Sequence, residues 1–500
     1  MIQKDIAIVF DCGATNVRVI AMNITGQILA VKSFPNETDE DPNYPGGRIW
    51  EMEKMWGKLC QAAQKVTSKI DTQRIAGATV TTFGVDGTFI DREGNMLYPV
   101  ISWQCPRPQP VMDAIDKYIP LKDLYRISGV YPYPFNTINK LVWFKENRPE
   151  IIEKAHQFLF ITSILIHKLT GEMRNDSSMA GTSMMLDLKT RNFSKEIHDK
   201  LGLDSNIWGS LADPGELAGK THEKATQTTG IPEGTPVYFA GHDTQFAIFG
   251  SGAELNQPVL SSGTWEILMA RTNQFSSSEI ELANKLTTEA DAQPGYFNIG
   301  QNWLGSGVLE WFSRNFYPEL TGENLYKTMI SEAEQIAPGT HRLKIDPAFY
   351  IENENSEAGI ISGLTLNTSR AHIYRVLLES LAFRLNEGLN ALQSAGKFKA
   401  GQIICVGGGS KNKLWNQIRA NVCNLPIHLI DQKETTVLGA ALFVFAGSGL
   451  FNSVEEARNN IEYKREIINP TTDSKIYQDL YQEYKNWSKK TVITSNHSKL

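Results

Sequence analysis

Five hundred residues are more than one hydrophobic core of usual size can organise, so two domains of roughly 200–250 residues each are expected. A formal net charge of −6 with no Lys/Arg block leaves no basic footprint for nucleic acid. The longest uncharged stretch, 435–453, is interrupted by glycines and reads as a buried helix rather than a membrane span, and the first residues lack the apolar core of a secretory signal, so a cytoplasmic protein without nucleic-acid or membrane partners is expected.

Apolar runs over 6–10, 17–23 and 28–34, joined by turns at Gly13 and Gly26, predict an antiparallel meander. Between the first two lies Asp11-Cys12-Gly13-Ala14-Thr15-Asn16-Val17-Arg18. Gly13 lets the chain turn with its amides inward, Thr15 and Asn16 offer neutral donors to anionic oxygens, and Asp11 can hold water on a divalent ion. This makes the turn a candidate phosphate clamp for ATP; an ordinary hairpin is the alternative. A Pro/Gly-rich loop over 35–48, a helix carrying Met52, Met55, Trp56, Leu59 and Ala63, and a strand over 75–82 follow. Asp86, in Thr81-Thr82-Phe83-Gly84-Val85-Asp86-Gly87, lies just past that strand and is placed to bind sugar hydroxyls or simply to shape a turn. Over 102–107, the Trp103 face and the planar donor Arg107 suit a polyhydroxylated ligand with one apolar side, buried packing being the ordinary role of such a Trp.

The apolar strand over 236–240 puts Gly241-His242-Asp243-Thr244 at a strand's carboxyl end, where ligands of open α/β sheets collect. Asp243 can take a proton from a hydroxyl there, or cap the helix that follows. Ser261-Ser262-Gly263-Thr264 interrupts a second apolar strand pair over 259–270, so the chain opens twice in the same way. A duplicated nucleotide-binding fold follows, with domains over 1–250 and 251–490. A long leucine-striped helix starts after Thr368 or Ser369 and stops at Gly396. A strand over 402–406 feeds Gly407-Gly408-Gly409-Ser410-Lys411-Asn412, where bare backbone allows a flat base to approach. A helix with Leu414, Ile418 and Val422 ends before Pro426, and the last helix is expected over 436–446. Gly215 to Thr221 is one residue short of a P-loop, and neither Gly250/Gly252 nor Gly305/Gly307 has the third glycine of a dinucleotide fingerprint. The five cysteines, scattered and without a C-x-x-C pair, read as reduced, buried small residues.

With these segments in this order, the chain resembles the FGGY carbohydrate kinases across nearly its whole length. The resemblance implies an α/β fold of two actin/ribonuclease-H-like ATPase domains with an active-site cleft between them. It implies ATP, Mg2+ or another divalent cation, and phosphoryl transfer to the 1-hydroxyl of a ketose, with L-fuculose first and L-rhamnulose, D-ribulose or xylulose as alternatives. Asp243 would be the catalytic base and Asp11 the metal residue. Asp11, Gly13, Ala14, Thr15, Asn16, Arg18 and Thr264 would face the phosphates, with Gly408, Gly409 and Asn412 near the adenosine. Gly84, Asp86, Trp103, Arg107, His242 and Thr244 would line the sugar pocket. Beyond the small-molecule ketose a homo-oligomer is left open. Readings from other classes are an actin- or chaperone-like ATPase and a non-catalytic sugar sensor.

Overall fold

The computed structural model describes residues 4–349, 358–432 and 434–497. The chain divides into two compact units: Met1–Gly252, Arg271–Ile299 and Glu434–Glu462 form the first, and Ala253–Ala270, Gly300–Lys433 and Tyr463–Leu500 the second. The first unit thus adds two later segments to the N-terminal stretch.

In the first unit, strands Ile6–Cys12, Asn16–Asn23 and Ile28–Pro35 form the antiparallel meander. Ile6–Cys12 is buried along its whole length, which explains its near-continuous apolar run. Ile75–Thr82 pairs parallel to it, with Phe10 opposite Val80, and Pro236–Tyr238 pairs parallel to Ile75–Thr82 on the far side. Leu217–Lys220 closes the edge antiparallel, so most of the near-P-loop string is an edge strand. Helix Met52–Thr67 turns Met52, Met55, Leu59, Ala62, Ala63 and Val66 inward. Helix Thr435–Gly447, buried nearly all round, packs Phe443 edge-on against Phe246 and Phe249, with ring centres 5.3 and 5.2 Å apart. Among the described residues no helix is long and apolar enough to cross a membrane. Helix Thr137–Asn147 belongs to a second core in this unit, where Phe89 meets Phe144 and Phe158 edge-on at 5.3 Å.

In the second unit, Pro258–Ser262 pairs antiparallel with Trp265–Thr272 and parallel with Ile403–Val406, Ser261 lying opposite both Ile267 and Val406. Six of the seven strands of the second sheet, in the order Phe297–Leu304, Trp265–Thr272, Pro258–Ser262, Ile403–Val406, Ile427–Ile430, Arg465–Ile468, repeat the order of the first sheet, including its antiparallel edge strand, and the seventh, Thr287–Ala290, is added at the Phe297–Leu304 edge. The duplication expected from the two similar openings is therefore present in the topology.

Two local expectations change. The long helix spans Arg370–Gly396 behind a Ser369–His372 capping box, and the left-handed residue that ends it is Lys397. The helix over 436–446 is not the last: Val454–Asn459 and Ser474–His497 follow. In Ser474–His497 the buried stripe is Tyr477, Tyr481 and Tyr484, aromatic residues in a polar stretch that a search for aliphatic periodicity passes over. All five cysteines are free, three of them buried and Cys60 and Cys423 partly so.

Candidate active site

Three adjacent parallel strands of the first unit, Ile6–Cys12, Ile75–Thr82 and Pro236–Tyr238, end on one side of the sheet. Their carboxyl ends deliver Asp11, then Gly84 and Asp86, then His242 and Asp243, so three segments distant in sequence meet by topology alone. The Gly241 carbonyl accepts from the Thr82 amide and the Thr81 hydroxyl, both at 3.0 Å. The His242 amide donates at 3.0 Å to Ser178 Oγ, which donates in turn to the fully buried Asp176 at 2.7 Å.

Asp243 is the first residue of helix Asp243–Gly250, and His242 takes the N-cap position without a side-chain cap bond. The Asp243 carboxylate is therefore not spent on capping, and it lies in the first turn, where the helix dipole favours negative charge. Thr244 Oγ1 donates to its Oδ1 at 3.2 Å and His242 Nε2 lies 3.5 Å from the same oxygen. Its side chain keeps 32% of its surface open. Desolvation raises its pKa, as does the charge of Asp11, while His242 pulls it down. Burial alone would depress His242, but the bond and charge of Glu289, helped by Asp243 and Asp176, leave its pKa raised.

Glu289 was not visible as a site residue in the sequence. Its Oε2 lies 3.3 Å from His242 Nδ1 and accepts from Gln245 Nε2 at 2.6 Å. Asn298 Nδ2 donates to Gln245 Oε1 and, at 2.9 Å, to Asp291, which is paired with Arg271 at 2.9 Å. A buried polar chain thus runs from Arg271 to the base candidate. No local motif announces it, because its members come from different elements.

Asp11 faces Arg18 across the first hairpin, and both Arg18 contacts fall on Asp11 Oδ2. Arg18 also donates to Glu434 at 3.0 Å, so its guanidinium is shared between two carboxylates. Burial outweighs the Arg18 charge and raises the Asp11 pKa. The turn itself is tied by Gly13 N to Asn16 O at 2.8 Å and by Asn36 Nδ2 to Gly13 O at 3.0 Å, leaving Thr15 and Asn16 exposed and Ala14 half-buried.

Asp86 is fully buried. Its carboxylate accepts from Lys140 Nζ, from Trp50 Nε1 at 2.7 Å and from the Trp103 amide at 3.0 Å. Burial pushes Asp86 up and Lys140 down, against their mutual attraction. The preceding residue, Val85, is held at φ +66°, a conformation costing a β-branched residue about 1–3 kcal/mol. Thr182, Thr137 and Lys140 hold it there through its amide and carbonyl at 3.1, 2.8 and 3.1 Å. Trp103 is 36% exposed and meets Phe135 edge-on. Arg107 is buried instead, paired with Asp41 and stacked on Tyr44 and Trp143. Gly84 lies against the His242 ring, where an added Cβ would come within 3.1 Å.

The second unit gathers a separate group at the carboxyl ends of Pro258–Ser262 and Ile403–Val406. Thr264 is exposed in the turn, and its carbonyl accepts from the Gly305 amide at 2.8 Å. Gly408 is exposed, Gly409 half-buried, and Gly408–Lys411 forms a 3-10 turn. Asn412 caps helix Lys413–Cys423 by accepting from Trp415 N at 3.0 Å and donates to Tyr374 Oη at 3.1 Å.

Among the described residues, no group of three or more His, Cys, Asp or Glu side chains is arranged to hold a metal alone. Asp11 and Asp243 still supply hard carboxylate oxygens of the kind Mg2+ takes, one or two at a time, alongside water and substrate phosphates.

Family models match both halves of the chain: the N-terminal domain of the FGGY family of carbohydrate kinases over 6–250 and its C-terminal domain over 259–447. The chain belongs to this family and is a sugar kinase. It is 44% identical over 479 residues to the L-fuculokinase of Escherichia coli (strain K12), covering 96% of this chain and 100% of that one. It is 44% identical over 473 residues to the L-fuculokinase of Haemophilus influenzae, covering 93% and 99%. Its fold is similar to that of ligand-bound xylulose kinase from Lactobacillus acidophilus, with a TM-score of 0.88 at 20% identity over 97% and 98% of the two chains.

Proposed function

We propose that this chain transfers the terminal phosphoryl group of ATP to the 1-hydroxyl of L-fuculose, giving L-fuculose 1-phosphate and ADP in the cytoplasm. The observation that carries this reading is the likeness to L-fuculokinases from end to end, with the base candidate Asp243 at a strand end and one side open.

Phosphoryl transfer passes through a loose transition state, so positioning and charge stabilisation dominate. Asp243 accepts the proton of the 1-hydroxyl as the sugar oxygen bonds to phosphorus and the bond to the ADP oxygen breaks. Thr244 and His242 aim its carboxylate. Gly84, Trp103 and His242 border the sugar, while Asp86 and Arg107, both buried, hold that wall from behind. Asp11, Gly13, Ala14, Thr15, Asn16 and Thr264 receive the phosphates, Arg18 keeps Asp11 in place, and Gly408, Gly409 and Asn412 border the adenosine. Asp11 would hold a divalent cation, which would supply charge neutralisation to the phosphates.

A coupled ADP-release assay over L-fuculose, L-rhamnulose, D-ribulose, L-xylulose and D-xylulose tests the proposal. Pockets built to hydrogen-bond particular hydroxyls can discriminate by ~10⁴–10⁵, so kcat/KM is expected to be highest for L-fuculose by a wide margin. Preference for another ketose would overturn the substrate, and ADP release indifferent to any ketose would overturn the kinase reading.

A further inference from the structure

The second unit contains a buried ion pair that no motif predicted. Glu266 and Arg419 are both fully sequestered from solvent and bonded to each other. Ser262 Oγ joins them, donating to Glu266 Oε1 at 2.9 Å and accepting from Arg419 Nη2 at 2.8 Å. Glu266 Oε2 accepts from Trp303 Nε1 at 2.9 Å. Arg419 Nη1 donates at 2.7 Å to Asn416 Oδ1, which orients that amide. Asn416 Nδ2 then faces three carbonyls of the glycine loop, those of Gly409, Ser410 and Asn412, at 3.1, 3.0 and 2.9 Å.

These contacts tie together both loops that face the nucleotide in the proposed function. Gly409 packs so tightly on Ser262 that an added Cβ would overlap the Ser262 hydroxyl, so the spacing between the Ser261–Thr264 turn and the Gly407–Asn412 loop is set at that contact. Glu266 also abuts Gly305, whose amide holds the Thr264 carbonyl. The pair is an uneconomical way to gain stability. Arg419 Nε and Trp415 Nε1 are buried without a hydrogen-bond partner, and apolar residues of similar volume often replace buried ion pairs at no loss. What directional bonds supply, and apolar packing does not, is orientation.

We propose that Glu266, Arg419, Ser262 and Asn416 are positioning residues for nucleotide binding: a buried frame that holds the Thr264 turn and the Gly408–Gly409 backbone at the separation ATP requires, without touching it. The inference rests on the kinase reading above and adds residues that determine the nucleotide affinity of that site.

Calorimetric ADP binding, KM for ATP and for the ketose, and thermal unfolding are measured on the full chain and on three variants. These are Asn416→Ala, Ser262→Ala and the double change Glu266→Met with Arg419→Met. Expected are an ADP Kd and ATP KM raised about tenfold or more and a ketose KM within about twofold, with the double variant melting at or above the wild-type temperature. Wild-type ADP affinity in the folded variants, or equal loss of affinity for both substrates, overturns the frame. Should the other variants unfold, Ser262→Ala, which deletes one oxygen, decides by the same criteria. An unaltered chain that binds no ADP overturns the kinase reading instead.

Discussion

Asp243 is held between opposing charges: Asp11 makes its ionised form harder to reach and His242 makes it easier. Burial, with the Asp11 charge, raises its pKa, and in the proposed reaction only the ionised carboxylate accepts a proton, so kcat/KM is expected to fall as pH drops through a value above the usual carboxylate range. His242→Gln removes the charge that lowers this pKa, so the acid limb should move to higher pH; a limb that stays or moves down in a pH-rate profile contradicts the arrangement. Asp243→Asn should lower kcat by ~10²–10⁴-fold, with the ATP KM changed only a few-fold in steady-state kinetics. At this scale legibility followed sequence distance. Asp11 with its Gly-Thr turn, and Asp243 beside His242, are local strings that a chemist can read. Glu289, Lys140, Asp176 and Asp41 were not, since a lone charged residue carries no mark of the partner the fold will bring to it. Arg107 shows the converse: its guanidinium suits a sugar on paper, yet it is buried against Asp41, Tyr44 and Trp143.

Elements hold these residues in place, and the helix bearing Asp243 depends on a neighbour far away in sequence. Helix Thr435–Gly447 approaches Asp243–Gly250 so closely that a Cβ on Gly439 would overlap the Phe246 carbonyl. Gly439→Val should destabilise the protein by about 1–3 kcal/mol through overpacking and lower kcat as the Asp243 helix is displaced; urea unfolding with parallel kinetics checks both, and an unchanged midpoint would show that the helices have slack. The apolar string over 435–447 announced a buried helix without saying what covers it. Helix Ser474–His497 carries no aliphatic stripe to mark it in the sequence, because its buried residues are Tyr477, Tyr481 and Tyr484 rather than leucines.

For the whole molecule, the order of the chain and the order of folding units differ. Helix Thr435–Gly447 buries Val437, Leu438, Leu442, Phe443, Val444 and Phe445 in the first unit. At about 1.5–3 kcal/mol per side chain, this rivals the entire net stability of a domain, about 5–15 kcal/mol. A fragment of residues 1–252 is therefore expected to show no cooperative thermal transition by circular dichroism, whereas the full chain melts cooperatively; a cooperative fragment would show the later segments to be dispensable. By itself the sequence determined the alternation of strands and helices, the two Gly-Thr turns, the repeat that implied duplication, and the family those motifs identify. Each of these is encoded in neighbouring residues, through periodicity, turn stereochemistry and short motif strings. Only the tertiary structure decided that residues 434–462 complete the first unit, that His242 rests on Glu289, and that Arg419 braces Glu266. The partners are 47 positions apart for His242 and Glu289, 153 for Glu266 and Arg419 and 416 for Arg18 and Glu434, and they meet because sheet order and burial bring the groups together once conformational entropy has been overcome, a requirement that no local stretch of chain records.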